Sequence, residues 1–260
     1  MTELTDKQLD RYARHIVLKD IGGIGQKKIL DAHILIIGAG GIGCPAIQYL
    51  AAAGIGALTI VDDDEVSLSN LQRQVLFCTD DIGQPKVEVA KQAAQKINPE
   101  VLINTVNQRL TAQHFSDNAA AFFKQFDVIL DGSDNYQTRL LVSEHSLTYR
   151  IPLVSAAIGQ FQGQLGIFRG WEADKPCYRC FVGDALDPED CDNCSEVGVL
   201  GAMVGLMGSF AAMEAIRVVT GFGDDPAGKL QLFDGLRPSM RSINLPKDPE
   251  CKSCGTPTNG

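Results

Sequence analysis

The stretch from Ala32 to Asp64 constrains this chain more than any other. It reads A-H-I-L-I-I-G-A-G-G-I-G-C-P, then a small-residue segment through Tyr49 and Leu50, then L-T-I-V-D-D-D. The apolar run Ile34 to Ile37 has the length of a buried parallel strand. Gly38, Gly40 and Gly43, with Gly41 between them, form a G-x-G-x-x-G turn that opens a helix. A second apolar strand, Leu58 to Val61, ends on Asp62, where an acid reaches a ribose hydroxyl, and Asp64 follows closely. Glycines let the backbone approach a phosphate, and the helix N-terminus offers free N–H groups and a positive dipole end. A glycine fingerprint alone is weak. Strand, glycines, helix, strand and acid in this order point to a nucleotide site, while leaving the nucleotide and its chemistry open.

At 260 residues the chain has the length of one large α/β domain. Its net charge of −9 argues against nucleic acid or an anionic membrane as the main partner. The chain opens T-E-L-T-D-K-Q, with no secretory signal, so a cytoplasmic location is expected. The longest apolar stretch, Val197 to Met213, is near the minimum for a membrane span. Gly198, Gly201, Gly205 and Gly208 interrupt it, and Glu214 and Arg217 follow. It reads as a buried helix in a core or dimer interface.

From the N-terminus, residues 4 to 18 read as a helix, with Thr5 and Gln8 forming a capping box. Arg11, Arg14 and His15 then share one face by i, i+3, i+4 spacing, which by itself reads as a solvated basic face. The glycines at 22, 23 and 25 form a loop before a short helix ending at Leu30. Beyond the second strand, the polar segment Val66 to Gln74 lies where open α/β sheets bind ligands. Asn70, Arg73 and Gln74 are therefore candidates for phosphate contacts. Pro85 suits the first position of a helix running to Ile97. Lys86 opposes that helix's dipole by roughly 0.3–1 kcal/mol, and is more easily explained if it faces an anionic ligand.

Val101 to Val106 reads as a strand, residues 111 to 126 as a helix, and Asp127 to Leu130 as another strand. That strand runs into Asp131-Gly132-Ser133-Asp134-Asn135. Asp134 is placed either to hold Mg²⁺ through oxygen ligands or to cap the helix at 135–150. Ile151 to Ala156 is a further buried strand. Gln164 to Arg169, Leu230 to Phe233 and Met240 to Leu245 alternate as antiparallel strands do. The expected fold is α/β: a Rossmann-like mixed sheet, parallel in its N-terminal half and antiparallel in its C-terminal half.

Of the eight cysteines, Cys44 and Cys78 stand alone. The rest form three C-x-x-C pairs: Cys177/Cys180, Cys191/Cys194 and Cys251/Cys254. Without a secretory segment, such pairs read as metal or redox chemistry rather than disulfides. Two C-x-x-C turns far apart in sequence suit a tetrahedral Cys₄ zinc site with bonds of about 2.3 Å. Glu189, Asp190, Asp192 and Glu196 crowd the middle pair and disfavour thiolates there. Cys177, Cys180, Cys251 and Cys254 are the expected zinc ligands.

With these motifs in place, the sequence resembles the MoeB/ThiF/HesA family, relatives of the ubiquitin-activating enzymes, over essentially its whole length. The resemblance rests on R-x-x-R-H-I, G-A-G-G-I-G, the D-D-D run, L-S-N-L-Q-R-Q, G-Q-P-K, D-G-S-D-N, C-Y-R-C and C-K-S-C-G. It implies ATP-dependent adenylation of the C-terminal glycine of a small ubiquitin-like sulfur-carrier protein ending in Gly-Gly, of MoaD or ThiS type, in molybdopterin or thiamine biosynthesis. By the resemblance Asp62 binds ribose, while Asn70, Arg73 and Lys86 contact the triphosphate. Asp134, beside Asn135, becomes the Mg²⁺-associated acid. Arg14 serves the neighbouring subunit's site in a homodimer, and the outer cysteine pairs bind zinc. Cys194 aligns with a cysteine that some relatives use in thioester or persulfide chemistry, although its acidic setting disfavours a thiolate. Residues 1–30 become a helical arm, 31–156 a nucleotide-binding half, and 157–260 a carrier-binding and zinc half of one domain. The chain ends after the last cysteine turn, so a separate sulfur donor, a cysteine desulfurase or rhodanese, is expected.

The resemblance is consistent with the physics, because a carboxylate attacking a phosphate brings two anions together and requires cations to offset them. An NAD-dependent oxidoreductase fits the glycine fingerprint but lacks a Tyr-x-x-x-Lys pair. A related ATP-dependent enzyme acting on tRNA fits the fold, but sits poorly with the acidic charge. A non-catalytic binding subunit would not retain Arg73, Lys86 and Asp134 together.

Overall fold

Strand β1 (His33–Ile37) is apolar throughout because both of its faces are covered. Ile34 and Ile36 join a core with Ile47 and Leu50 of α4 (Gly43–Ala53) and with Val87 and Ala90 of α5 (Lys86–Ile97). Leu35 and Ile37 face the opposite layer, with Phe123 of α6 (Ala119–Phe123) and Val142 of α7 (Tyr136–Tyr149). The computed structural model describes residues 3–111, 119–183 and 198–255.

One eight-stranded sheet runs in the order β3-β2-β1-β4-β5-β6-β7-β8. Strands β2 (Ala57–Val61), β3 (Leu102–Val106), β4 (Val128–Asp131) and β5 (Leu153–Gly159) extend β1 in parallel. Strands β6 (Gln162–Phe168), β7 (Lys229–Asp234) and β8 (Ser239–Asn244) continue it as an antiparallel meander. This is the mixed sheet expected from the sequence. β5 runs through residue 156 to Gly159, because its pairing with β6 continues to Gly159 opposite Gln162. β1 has β2 on one side and β4 on the other, so successive crossovers diverge and leave a crevice at the strands' carboxyl ends.

Helix α9 (Gly201–Thr220) is long and apolar enough to cross a membrane by length and composition alone. Here it is a core helix. Met203, Val204, Met207, Ala211 and Ala215 are buried, and Gly208 lies against Pro45 and the Ile42 carbonyl, so the helix can press onto α4.

Several local expectations are corrected. The helix expected over residues 4–18 is two, α1 (Asp6–Arg11) and α2 (Ala13–Ile16), although the Thr5/Gln8 capping box is present. The break is at Tyr12, which leaves helical geometry to bury its ring and meet Asn98, whose Nδ2 donates to the phenol oxygen at 2.9 Å. Arg11 therefore ends α1 while Arg14 and His15 belong to α2; Arg11 donates to the Ile97 carbonyl, and His15 pairs with Gln26. The glycines at 22, 23 and 25 lie inside α3 (Gly22–Asp31) rather than in a loop; a side chain at Gly25 would meet Ile21 and Thr220. Pro85 caps α5 instead of occupying its first position, which belongs to Lys86. The helix expected over 111–126 is described only as α6, since 112–118 lie outside the described residues.

The glycine turn has no room for a methyl group. Gly38 sits at φ +89° with the Gly132 carbonyl 3.2 Å from where its Cβ would be, and a Cβ on Gly43 would strike the Gly38 carbonyl oxygen. Gly43→Ala is expected to cost about 2 kcal/mol or more by overpacking. That corresponds to a drop of roughly 5 °C in a thermal melt followed by circular dichroism.

Candidate functional site

The crevice at the switch point has a volume of about 430 Å³ and is bounded by three loops. The glycine turn after β1 forms its floor, with Gly38, Gly40 and Gly41 in the lining, while Gly43 lies beneath as the first residue of α4. Asp62 at the end of β2 fixes this floor: its carboxylate accepts from the Ala39 N–H at 2.7 Å and the Asp64 N–H at 2.9 Å. Burial pushes the Asp62 carboxyl above its usual range, against the opposing pull of Lys86 and these two N–H groups.

The second wall carries the cations. Lys86 is 3% exposed and its Nζ lies 2.7 Å from Asp64 Oδ2, so an ammonium is buried at a helix start with one half-free carboxylate as partner. A short 3₁₀ turn at Leu68–Asn70 presents Asn70, Arg73 and Gln74 to the crevice. Arg73 donates from Nη1 to the Ser69 carbonyl at 3.1 Å. Gln74 is buried, and its Oε1 has no partner among the described residues, which leaves an acceptor for a bound molecule.

The third wall is the loop after β4. Asn135, not Asp134, caps α7: its side chain accepts from the Thr138 N–H at 2.9 Å. The neighbouring Asp134 carboxylate is exposed and lines the crevice, so the capping alternative for it is overturned. Asp63 and Arg109, paired at 3.2 Å, stand at the rim.

Arg14 is exposed on α2 and does not line this crevice. Cys191 and Cys194 lie outside the described residues. Arg139, which the sequence reading did not single out, is buried in the first turns of α7 and joins the lining of the third wall. The signal that marked Lys86, a cation near a helix start, applies to it equally.

The other cluster joins α8 (Tyr178–Val182) to the C-terminal turn. Cys177, Cys180, Cys251 and Cys254 bring their sulfurs within 4.8 Å of one another, as the spacing argument expected. Individual S···S separations are 3.8 Å (177–180), 3.6 Å (177–251) and 3.4 Å (180–254). A tetrahedral zinc with bonds of about 2.3 Å requires sulfur edges of about 3.8 Å, so this donor set fits the ion. Burial raises the thiol pKa of Cys177, and that of Cys254 to about 11, whereas the Cys254 and Ser253 N–H groups hold Cys251 low despite its burial.

The ThiF family model matches residues 12–253. The chain belongs to the ThiF family. Among its relatives, the sulfur carrier protein ThiS adenylyltransferase of Escherichia coli K12 is 43% identical over 253 residues, 97% of each chain. The molybdopterin-synthase adenylyltransferase of the same organism is 40% identical over 255 residues, covering 98% of this chain and all of that one. In fold, this ThiF-family chain superposes on the crystal structure of E. coli MccB with AMPCPP and MccA at a TM-score of 0.81. That match has 22% identity and covers 98% of this chain and 76% of the other.

A ThiF-family chain with this sulfur geometry should bind one equivalent of Zn²⁺ and release protons as it does so. Calorimetric titration of chelator-stripped protein in two buffers of different ionisation enthalpy reads both quantities. Affinity should fall with decreasing pH as the thiolates reprotonate, and Cys180→Ser with Cys254→Ser should abolish tight binding.

Proposed function

We propose that this chain is an adenylyltransferase acting on a small ubiquitin-like sulfur carrier. It uses ATP to activate the carrier's C-terminal glycine carboxylate for sulfur transfer in thiamine or molybdopterin biosynthesis. The observation that carries this reading is Lys86, an ammonium buried at a crevice wall in a protein of net charge −9. The relatives named above, each near 40% identity over almost the full chain, support the same activity.

In this reading ATP lies across the glycine turn with its ribose hydroxyls on Asp62 and its phosphates toward Asn70, Arg73 and Lys86. A carrier carboxylate oxygen attacks the α-phosphorus. The bond to the bridging oxygen breaks, pyrophosphate leaves, and a mixed acyl-phosphate anhydride with AMP remains. The attacking group is already ionised, so no general base is needed. The difficulty is repulsion between anions, which Lys86 and Arg73 offset where charge accumulates. Asp134 and Asn135 stand where a carboxylate and an amide would hold the Mg²⁺ that accompanies ATP, and that ion would supply further charge neutralisation. Gln74 offers its unpaired oxygen to a donor on nucleotide or carrier. Arg14, exposed and outside the lining of its own crevice, is suited to complete the site of a second copy, making the enzyme a homodimer. The four cysteines hold a structural zinc. A cytoplasmic location agrees with such an activity.

Carrier mixed with enzyme and ATP should gain the mass of one AMP group, and carrier-dependent exchange of pyrophosphate into ATP should appear. Lys86→Ala should lower that exchange about 10²–10³-fold, the scale expected for loss of one preorganised charge donor. If neither a ThiS-type nor a MoaD-type carrier gains mass, the assignment fails.

Asp62 gives a pH signature. Because its carboxyl titrates above the ordinary value near 4, nucleotide binding should weaken as pH falls through that raised range and the acceptor becomes protonated. The sign for the nucleotide-free protein is opposite. A raised folded-state pKa contributes stability that is present at low pH and lost as pH rises through it. Equilibrium binding of a non-hydrolysable ATP analogue between pH 4 and 8 should show the first trend, and Asp62→Asn should flatten it.

A further inference from the structure

The sheet order distributes the parts of a nucleotide along the crevice. Strands β1, β2 and β3 are parallel neighbours and end on the same edge of the sheet. The glycine turn follows β1 and Asp62 follows β2. Phosphate on the first and ribose on the second direct the base onward, over the end of β3. In the other direction lies β4, whose loop already carries Asp134 and Asn135.

The lining near the end of β3 differs from the cationic wall. Ile37, Val61 and Leu110, at 3%, 2% and 7% exposure, all border the crevice and belong to one apolar cluster on the sheet face opposite α5. This patch of floor offers no charge to a phosphate. Next to Leu110 in the chain stands Arg109, which also borders the crevice and pairs with Asp63. Its Nε donates to Asp63 Oδ2 at 3.2 Å and lies 3.4 Å from Oδ1. The Arg109 side chain is 62% exposed, so it keeps surface for a ligand to cover. An exposed ion pair of this kind adds only about 0–1 kcal/mol to a fold. A pair that bridges the ends of β2 and β3 beside an apolar patch is better accounted for by what enters the crevice.

We propose that Arg109, oriented by Asp63, holds the base of the nucleotide, its guanidinium covering a purine ring that rests on Ile37, Val61 and Leu110. The proposal rests on the nucleotide reading of the crevice and names the residue that fixes its base end. A purine is flat and its faces suit an apolar floor, while a guanidinium stacks on such a ring through its plane as well as its charge. Asp63 limits rotation of that plane, so less ordering is left for binding to complete.

The competing account is plain attraction between Arg109 and the triphosphate, and Asp63 separates the two by sign. If Arg109 acts only as a positive charge, removing the Asp63 charge strengthens nucleotide binding. If Asp63 orients a stacking plane, removing it weakens binding.

The test is equilibrium binding to the full-length, metal-loaded protein of two probes: a non-hydrolysable ATP analogue, and inorganic tripolyphosphate, which has no base. Arg109→Ala should weaken the analogue about 3–30-fold, the range for a cation over a ring from exposed to desolvated settings. Tripolyphosphate binding should stay unchanged. Asp63→Asn should weaken the analogue about 2–5-fold, the scale of one exposed charge pair. Both side chains lie at the surface, where substitutions shift stability by about 0.5 kcal/mol or less, so both variants should fold.

Wild-type analogue affinity in Arg109→Ala, equal losses for the two probes, or tighter analogue binding in Asp63→Asn would each overturn the proposal. If the variants behave as expected while wild type adenylates no carrier, the activity assignment falls and the base contact stands. If wild type binds neither probe, both fall.

Discussion

A buried ammonium in an acidic protein is the constraint on which the site depends. Lys86 loses most of its hydration, and the carboxylate paired with it, Asp64 at 2.7 Å, is itself largely open to solvent. A fully enclosed partner would neutralise the lysine permanently. A half-exposed one holds it only until a more strongly charged group arrives, because the burial penalty is offset by whichever anion approaches most closely. Triphosphate is such a group. The acidic run 62–64 therefore does two jobs, anchoring the glycine floor through Asp62 and pairing with Lys86 through Asp64.

The rest of the fold serves to bring three loops to one point. The parallel strands deliver the glycine turn, the acidic run and the Ser133–Asn135 loop to the same edge of the sheet, and the close passage of Gly38 against Gly132 fixes two of them against each other. The antiparallel half contributes in another way. It carries the chain back so that the second cysteine turn meets the first, seventy-four residues earlier, across the outside of α7 and α8.

How much of this the sequence shows depends on how far apart the interacting residues are. The glycine floor, Asp62 and the Lys86 anomaly are local patterns, and each stands where its spacing indicated. The sulfur tetrahedron is distant in sequence yet legible, because only cysteines supply such ligands in pairs. The break at Tyr12 was not legible, since its cause, Asn98, is eighty-six residues away. Asn135 and Asp134 could not be separated by pattern, because either side chain can cap a helix and only the backbone path decides which one does. Arg139 escaped notice for the same reason as Tyr12: its partners Ser155 and Ala156 belong to β5, and nothing near it in the chain announces them.

The separation of the two cysteine turns also has a temporal meaning. A ribosome makes the glycine floor, the lysine wall and the loop after β4 before it reaches Cys251, so the parallel half of the sheet can begin folding while the sulfur cage has only two corners. The cage can close only once Cys251 and Cys254 have emerged. An ion resting there would thus distinguish a chain made through its second cysteine turn from any shorter nascent one.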